Sequence, residues 1–188
     1  LESVEALLPL FADAPVAVLT GAGISTDSGI PDYRGKGSPP RTPMRIDQYM
    51  EDPQYRRRFW AGARVGSVRM GGVQPNAGHL ALAHLEAAGR IDGVITQNVD
   101  GLHRRAGSRT VVELHGSGAA FRCTACGHRT SRAEVLGAFD DLNPGFAEAH
   151  SDAEIAPDGD AIVDAGAEVI VPPCPVCGGI LRPDVVYF

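Results

Sequence analysis

The chain has 188 residues, of which 44% are hydrophobic and 21% are charged, and its formal net charge is −6. This length fits one domain with a substantial core and a small additional module, whereas the acidic balance argues against sequence-independent binding to nucleic acid. Because no apolar run approaches the roughly 18 residues of a membrane helix and no signal peptide is evident, we expect a soluble cytoplasmic protein, or a mitochondrial-matrix protein in a eukaryote, with no membrane partner.

The first predicted elements are a helix and a strand. Residues 2–11 place Leu and Ala at helical spacing between charged residues, which predicts an amphipathic helix. Residues 16–20, which read VAVLT, have the length and the β-branched content of a buried strand.

That strand runs directly into a glycine-rich stretch, residues 21–34, which reads GAGISTDSGIPDYR. An α/β fold places phosphate groups at such a junction, because glycine lets the backbone approach the ligand and the next helix N-terminus offers N–H donors. The Gly-x-Gly start is a weak indication by itself. Thr26 stands at the third glycine position of the dinucleotide-binding pattern, and no clear acidic residue ends a second strand about 20 residues later, so an ordinary Rossmann dehydrogenase is not indicated. Asp32 has the alternative role of a simple turn residue.

A loop and two helices are predicted next. Residues 35–40 are rich in Gly and Pro, which is typical of a loop, either a cover over a ligand or a plain surface loop. Residues 46–69 are predicted to be helical, and we interpret their aromatic side chains as core packing. A second helix begins at Asn76. We assign its histidines, His79 and His84, to packing or to the surface and not to catalysis.

Two further short strands are predicted, at residues 94–96 and 111–114. Strands that alternate with helices in this way indicate a parallel, doubly wound sheet of the Rossmann-like α/β class.

Polar residues follow both of these strands. Gln97, Asn98 and Asp100 come after the second strand, and His115 comes after the third. Because ligands bind beyond the carboxyl ends of parallel strands, we expect these side chains and the glycine-rich stretch to meet in one crevice. Two alternatives stay open: Asn98 and Asp100 are good helix N-caps, and His115 fits a satisfied, partly buried histidine.

The four cysteines form two Cys-x-x-Cys pairs, each followed by glycine: Cys123 with Cys126, and Cys174 with Cys177. Two such pairs supply four soft ligands to a tetrahedral Zn²⁺ and leave it no open position, which predicts one structural metal ion. Disulfides are less favoured because no secretion signal is present, and a redox pair is less favoured still. His128 is a weaker candidate ligand.

The composition changes around the cysteine pairs. Residues 121–182 lose the α/β alternation, and residues 183–188 return to a strand-like composition. We therefore expect residues 121–182 to form a small zinc-binding module of the zinc-ribbon kind, inserted into a Rossmann-like domain formed by residues 1–120 and 183–188.

Taken together, these motifs resemble those of the sirtuins, the NAD-dependent protein-lysine deacylases. The resemblance rests on residues 21–34, 97–100, 113–116 and 183–188 and on the cysteine pairs, in the order and approximate spacing of that family. It covers essentially the whole chain. The long segment between the cysteine pairs resembles the class II subgroup, which includes a mitochondrial member.

The resemblance implies an enzyme that transfers the acyl group of a lysine to ADP-ribose and releases nicotinamide, with an acyl-lysine protein or peptide as its partner. It implies that His115 is the general base, that Asn98 is a second catalytic residue, and that a substrate peptide pairs with Val185, Val186 and Tyr187. It implies that NAD contacts the following residues: Gly21, Ala22, Gly23, Thr26, Asp32, Tyr33, Arg34, Gln97, Asn98, Asp100 and His115.

Sirtuins continue beyond the position of Phe188 with further strands, a Gly-Ser motif and an Asn that contacts the adenosine half of NAD. We therefore expect the natural chain to be longer than this sequence. Two alternatives to deacylation stay open: protein mono-ADP-ribosyl transfer, and a non-catalytic NAD- and zinc-binding fragment if the chain ends at Phe188.

Overall fold

The structure is a computed structural model, which describes these residues: 9, 16–33, 35, 45–155, 159–163 and 169–187. The helix predicted over residues 2–11 and the loop predicted over residues 35–40 lie outside the described residues, apart from Pro9 and Gly35, and so does Arg34.

The first sheet joins three strands that are distant in the sequence. β1 (Val16–Thr20), β2 (Ile91–Thr96) and β3 (Val111–Glu113) are parallel and lie in the order β1-β2-β3. β-branched and aliphatic side chains dominate all three, and such side chains pack well on a pleated surface. The sheet confirms the predicted α/β class.

The prediction that β1 is a buried strand is wrong. Leu19 pairs with Ile95, and Ile95 pairs with Val112, so these three side chains share one face of the sheet. Leu19 is 63% exposed and Val112 is 51% exposed. Burial along β1 alternates with a period of two, because only one face of this strand lies against the described part of the chain.

Helical segments connect the parallel strands. A 3₁₀ helix (Ala22–Ser28) follows β1 after one residue and ends at Gly29, whose φ of 89° lies in the left-handed region that glycine adopts without strain. α3 (Ala77–Ala87) precedes β2 and begins one residue after the predicted start at Asn76, whose side chain caps it. The short α4 (Leu102–Arg105) lies between β2 and β3. Among the described helices, none combines the length and the apolar character that crossing a lipid bilayer requires.

The predicted helix over residues 46–69 is two helices, α1 (Ile46–Glu51) and α2 (Pro53–Gly72). Proline has no N–H to donate and disfavours helical dihedrals in the residue before it. Asp52 accordingly adopts an extended conformation, and its carboxylate caps α2 by accepting a hydrogen bond from Gln54 N at 2.8 Å.

The second sheet is antiparallel. It consists of β4 (Gly116–Cys123), β5 (Arg129–Ser131) and β6 (Leu181–Val185), in the order β5-β4-β6. α5 (Arg132–Leu142) and α6 (Phe146–Ala149) follow β5 in the chain.

The main hydrophobic core lies between α2 and the second sheet. The ring of Trp60 on α2 lies 5.1 Å from Phe121 on β4 and stacks parallel to Phe139 on α5. Trp60 Nε1 donates to the hydroxyl of Tyr49, which donates in turn to the carbonyl of Leu181 at 2.6 Å. Tyr49 and Trp60 are fully buried, so their predicted core role is confirmed.

The second sheet extends beyond both limits predicted for the inserted module. β4 begins at Gly116, before residue 121, and β6 ends at Val185, after residue 182. α2, which the sequence assigned to the larger domain, packs its aromatic face against this sheet. The division of the chain into two domains stays a prediction.

Candidate functional site

The carboxyl ends of the parallel strands bring the predicted loops together. Gln97 N donates to the carbonyl of Thr20 at 3.0 Å, and Leu114 N donates to the carbonyl of Thr96 at 2.9 Å. The residues that follow β1, β2 and β3 therefore start side by side at one edge of the sheet, as the sequence predicted.

Asn98 and Asp100 bind the glycine-rich stretch directly. The side-chain amide of Asn98 donates to the carbonyl of Gly21 and to the hydroxyl of Ser25, both at 3.2 Å. The hydroxyl of Ser25 donates to Asp100 Oδ2 at 2.7 Å, and Ser25 is 1% exposed. Asp100 Oδ1 also accepts from Leu102 N at 2.9 Å. Gly101 is the N-cap of α4, so the alternative role of Asn98 and Asp100 as N-caps is wrong. Asp100 forms a turn with Leu102 and links two loops, whereas Asn98 acts through its amide donor.

The glycine-rich stretch is fixed from a second side by α3. The side-chain amide of Asn76 donates to the carbonyl of Ile24 at 2.7 Å while its oxygen caps the helix. The element after β1 is a 3₁₀ helix, where the sequence led us to expect the N-terminus of an ordinary helix. Gly23 is exposed, and a Cβ built on it would meet nothing within 4 Å. The backbone at Gly23 is therefore open to a ligand.

Two histidines are buried beneath these loops. The rings of His79 and His103 lie 4.8 Å apart, and both residues are at most 2% exposed. His103 Nε2 lies 2.9 Å from the hydroxyl of Thr20, which donates to the hydroxyl of Thr96. The hydroxyls of Thr20 and Thr96 and the ring of His103 thus form one connected set of polar contacts.

Both buried rings favour the neutral state. Burial lowers the pKa of His79 and of His103, and the second ring adds to the effect on His103. The charge of Asp100 opposes the shift in each case. The imidazole pair is thus a neutral support for the loops above it.

His115 lies at the junction of the two sheets. β3 ends at Glu113 and β4 begins at Gly116, so only Leu114 and His115 separate them. His115 Nδ1 lies 2.9 Å from the carbonyl oxygen of Gln97. A carbonyl can only accept, so Nδ1 carries the proton of the neutral ring and the lone pair is on Nε2.

The remaining residues predicted to contact NAD differ in their hydrogen bonds and in their exposure to solvent. The Asp32 carboxylate accepts a hydrogen bond from Gly35 N at 2.6 Å. Such a bond is typical of a turn residue, the alternative role that the sequence left open for Asp32. Tyr33 is 52% exposed, and Thr26 donates to the carbonyl of Gly23. Ala22 is half-buried within the 3₁₀ helix.

A cleft of about 440 Å³ lies along β6. It is lined by side chains from α1, from the turn between Cys123 and Cys126, from β6 and from the two residues after β6, and it includes the three predicted substrate-binding residues. The lining residues are Ile46, Met50, Thr124, Arg182, Val185, Val186 and Tyr187. In the described sheet β6 is an outer strand, paired with β4 alone, so its other edge is available for an extended peptide.

The four cysteine sulfur atoms form one cluster, all within 4.8 Å of one another. The sulfur of Cys123 lies 3.5 Å from that of Cys177, and the sulfur of Cys126 lies 3.8 Å from that of Cys174. A tetrahedron with Zn–S bonds of about 2.3 Å has edges of about 3.8 Å, so the donor set fits zinc.

The two cysteine turns have the same backbone geometry. Gly127 N donates to the carbonyl of Cys123 and Gly178 N to that of Cys174, and both glycines have a φ of 73°. Backbone N–H groups of Cys126 and Ala125 lower the pKa of the Cys123 thiol to about 6. The neighbouring cysteine sulfur atoms raise the pKa of the Cys177 thiol to about 12, so without a metal the cluster favours a thiolate on Cys123 and a protonated thiol on Cys177.

The sequence model of the Sir2 family matches residues 21–188. The chain belongs to the Sir2 family. It is 53% identical over 185 residues to "NAD-dependent protein deacetylase 1" of Mycobacterium avium (strain 104), a match that covers 97% of this chain and 66% of that protein. It is 44% identical over 179 residues to "NAD-dependent protein deacylase sir-2.2" of Caenorhabditis elegans, which covers 91% of this chain and 62% of that protein.

Solved structures of Sir2 proteins have the same fold. A structure named "Sir2-p53 peptide-NAD+" is similar with a TM-score of 0.71 and 34% identity, covering 99% of this chain and 65% of the other. One named "Structure of Sir2Tm bound to a propionylated peptide" has a TM-score of 0.67 and 31% identity, covering 99% and 64%. This Sir2 chain spans less than two thirds of the length of each of these four relatives.

Sequence reasoning missed several polar residues of this Sir2 site. Ser25 lies within the glycine-rich stretch and His103 follows Asp100 by three residues, but the sequence analysis assigns neither a role, and it treats Thr20 and Thr96 only as strand residues. One pattern could have revealed the threonines: each ends a predicted strand, and the two are paired in register. Nothing in the sequence indicates that Ser25 points inwards, because that depends on the 3₁₀ conformation.

Proposed function

We propose that the full protein is an NAD-dependent protein-lysine deacylase and that this chain carries its catalytic residues. The observation that supports this most is the convergence of three distant segments at one sheet edge. Ser25 from the glycine-rich stretch bonds Asp100 and Asn98, and His115 bonds the carbonyl of Gln97 in the same loop. The names of the relatives, all deacetylases or deacylases that depend on NAD, agree with this arrangement.

We propose that NAD⁺ binds over the glycine-rich stretch. The open backbone at Gly23 suits the approach of a pyrophosphate. Asn98 and Asp100 offer an amide and a carboxylate, which suit the nicotinamide carboxamide and the ribose hydroxyls. When bound, NAD⁺ supplies a ribose carbon that accepts the acyl oxygen of the substrate as nicotinamide leaves.

His115 is the proposed general base. Its Nδ1–H bond to Gln97 fixes the ring orientation and leaves Nε2 to accept a proton from a ribose hydroxyl. The buried pair of His79 and His103 stays beneath the loops as a support and takes no proton from the substrate in this scheme.

The proposed protein substrate is an acyl-lysine peptide in extended conformation. It would add as a strand to the outer edge of β6 and place side chains in the cleft lined by Val185 and Val186. The carbonyl of His115 already accepts from Val186 N at 2.9 Å, so this edge lies next to the base.

We propose that one zinc ion is held by Cys123, Cys126, Cys174 and Cys177. Four thiolates leave the metal without an open position, so its role is structural. Gly179 supports this fit, because a Cβ at that position would lie 3.1 Å from the sulfur of Cys123. The metal would join the segments on either side of the long stretch between the cysteine pairs.

The test is an assay of nicotinamide release by the full-length protein with NAD⁺ and a series of lysine-acylated peptides. We expect release to require an acylated peptide, and we expect His115→Ala to abolish it while zinc content stays the same. Release without an acylated peptide, together with ADP-ribose attached to protein, would indicate mono-ADP-ribosyl transfer instead. An absence of NAD⁺ turnover with every peptide would overturn the enzymatic proposal.

A further inference from the structure

A short segment within the stretch between the cysteine pairs docks on α2 by backbone contact. Ala161 N donates to the carbonyl of Gly62 at 2.9 Å, and Ala161 is 5% exposed. A Cβ on Gly62 would lie 2.5 Å from the carbonyl oxygen of Ala161, and a Cβ on Gly66 would overlap the carbonyl oxygen of Gly159. Residues 159–161 thus lie on a surface that only glycine at these helix positions permits.

Arg132, the first residue of α5, joins this segment to two other elements. One nitrogen, Nη2, donates to the carbonyl of Ala63 on α2 at 3.1 Å and forms an ion pair with Asp160 at 3.5 Å. The other, Nη1, donates to the carbonyl of Gly118 on β4 at 3.4 Å. The side chain of Asp160 is 15% exposed and that of Arg132 is 27% exposed, so solvent only partly screens the pair.

Gly118 is available to Arg132 because β4 is irregular at that point. Ser117 pairs with Asp184, but the next pair of β4 with β6 is Phe121 with Pro183, so residues 118–120 bulge out of the ladder. A bulge frees backbone groups and redirects them. Here it gives the carbonyl of Gly118 to Arg132.

The other backbone group of Gly118 leads into the candidate active site. Gly118 N donates to the carbonyl of Val99 at 3.1 Å, and a Cβ on Gly118 would lie 2.8 Å from that oxygen. Val99 stands between Asn98 and Asp100, whose side chains bind Ser25. A continuous set of polar contacts therefore runs from Asp160 through Arg132 and Gly118 to the loop at residues 97–100.

We propose that Arg132 is a positioning residue for the loop at residues 97–100, and that Asp160 in the docked segment holds Arg132 in place for this role. The guanidinium group suits it, because its planar fork reaches two carbonyls and a carboxylate at once. The segment at residues 159–161 therefore influences the NAD site without touching the cofactor. The kinetic part of this proposal rests on the proposed function.

The chain offers a matched control in another Arg–Asp pair, which joins α2 to α5. Arg64 Nε donates to Asp140 Oδ1, and Arg64 is also largely buried, with 16% of its side chain exposed. Neither partner is bonded to β4 in the contacts described. Arg64→Gln therefore removes a similar Arg–Asp ion pair that also involves α5 and leaves the bulge intact.

Hydrogen–deuterium exchange tests the coupling without any need for activity. In the full-length protein without substrates, we expect Arg132→Gln to accelerate exchange of the amides at residues 97–102 and of Gly118 by about tenfold, since it removes the guanidinium that bonds the carbonyl of Gly118 in the bulge. Asp160→Asn should act in the same direction and more weakly, and it also serves if Arg132→Gln folds poorly. Arg64→Gln should leave these amides within about twofold of wild type.

Kinetics supply the second measurement. We expect Arg132→Gln to raise the KM for NAD⁺ about tenfold while the KM for the acylated peptide stays within about twofold, because misplacement affects the loop and not the outer edge of β6. Equal exchange and equal KM values in the Arg132 and Arg64 variants would overturn the inference. A wild-type protein without turnover would refute the proposed function alone, since the exchange result stands independently.

Discussion

The hydroxyl of Ser25 donates a hydrogen bond of 2.7 Å to the carboxylate of Asp100, which lies 75 positions later in the chain. This bond links the stretch after β1 to the loop after β2, and Asn98 reinforces it through Ser25 and Gly21. The NAD site proposed here depends on that link, because it sets the position of the glycine-rich stretch relative to the loop at residues 97–100.

Ser25→Ala removes the donor to Asp100 and leaves a half-buried carboxylate with one bond fewer. A hydrogen bond to a charged group contributes about 1.5–3 kcal/mol, so we expect the KM for NAD⁺ to rise at least tenfold with a smaller loss of thermal stability. Initial-rate kinetics and thermal unfolding measure the two effects. Ser67→Ala is the control, since Ser67 bonds only Arg64 on α2 in the contacts described. Equal NAD⁺ kinetics in the two variants would contradict the role of Ser25.

Stability should fall on acidification because of the buried histidines. Burial lowers the pKa of His79 and His103 in the folded state, so between the folded and unfolded pKa values the unfolded chain binds more protons. The contribution of the two rings to the free energy of unfolding is therefore complete above a pH of about 6.5, the pKa of histidine in the unfolded chain. It is lost as the pH falls below that pKa. The loss is at most about 1.4 kcal/mol per pH unit for each ring.

Urea unfolding between pH 7.5 and 5.5 measures this dependence. We expect the double variant His79→Gln/His103→Gln to flatten the slope of the unfolding free energy against pH. His84→Gln, at an exposed position of α3, should leave the slope unchanged. A wild-type slope that the double variant retains would show that other groups cause the acid sensitivity.

Removal of one cysteine should release the metal. We expect Cys126→Ala to lower zinc content from one equivalent to below about one tenth, because three ligands bind far more weakly than four in a structural site. Cys123 and Cys174 belong to the same buried cluster as Trp60, so the core should loosen as well. Elemental analysis and thermal unfolding give the two measurements. His128→Ala should retain full zinc, and a loss of zinc there would show that His128 is a ligand.

The docked segment on α2 predicts opposite effects for two glycine substitutions. Gly66→Ala places a methyl group against the backbone of residues 159–160, so we expect it to destabilise the protein by about 1–3 kcal/mol. Gly137→Ala on the exposed side of α5 meets nothing within 4 Å and should stabilise by about 0.5–1 kcal/mol through helix propensity. Denaturant unfolding compares them. A neutral Gly66→Ala would mean that the segment leaves the helix at little cost.

The sequence predicted the parts of the fold that depend on local pattern. The three parallel strands, the Asn76 cap and the pairing of the cysteines each leave a short-range trace in residue type and spacing. The carboxyl-end rule then placed Asn98, Asp100 and His115 near one another, because it follows from topology alone.

Long-range packing left no such trace. The burial of β1 depends on what covers the sheet, and the position of Ser25 depends on a 3₁₀ conformation that propensity does not indicate. The bulge at residues 118–120 arises from the pairing of β4 with β6 across the long stretch between the cysteine pairs. The break at Asp52 is different, because Pro53 indicates a helix boundary in the sequence itself. The prediction of one continuous helix gave more weight to the helical periodicity.

The chain passes from the parallel sheet to the antiparallel sheet through Leu114 and His115 alone. A rotation of one sheet relative to the other would therefore change the backbone dihedral angles of Leu114 and of His115, the residue that carries the proposed base. The carbonyl of that residue also holds Val186 on the peptide-binding edge. A peptide that pairs with the outer edge of β6 should consequently be felt at the imidazole through this single backbone link.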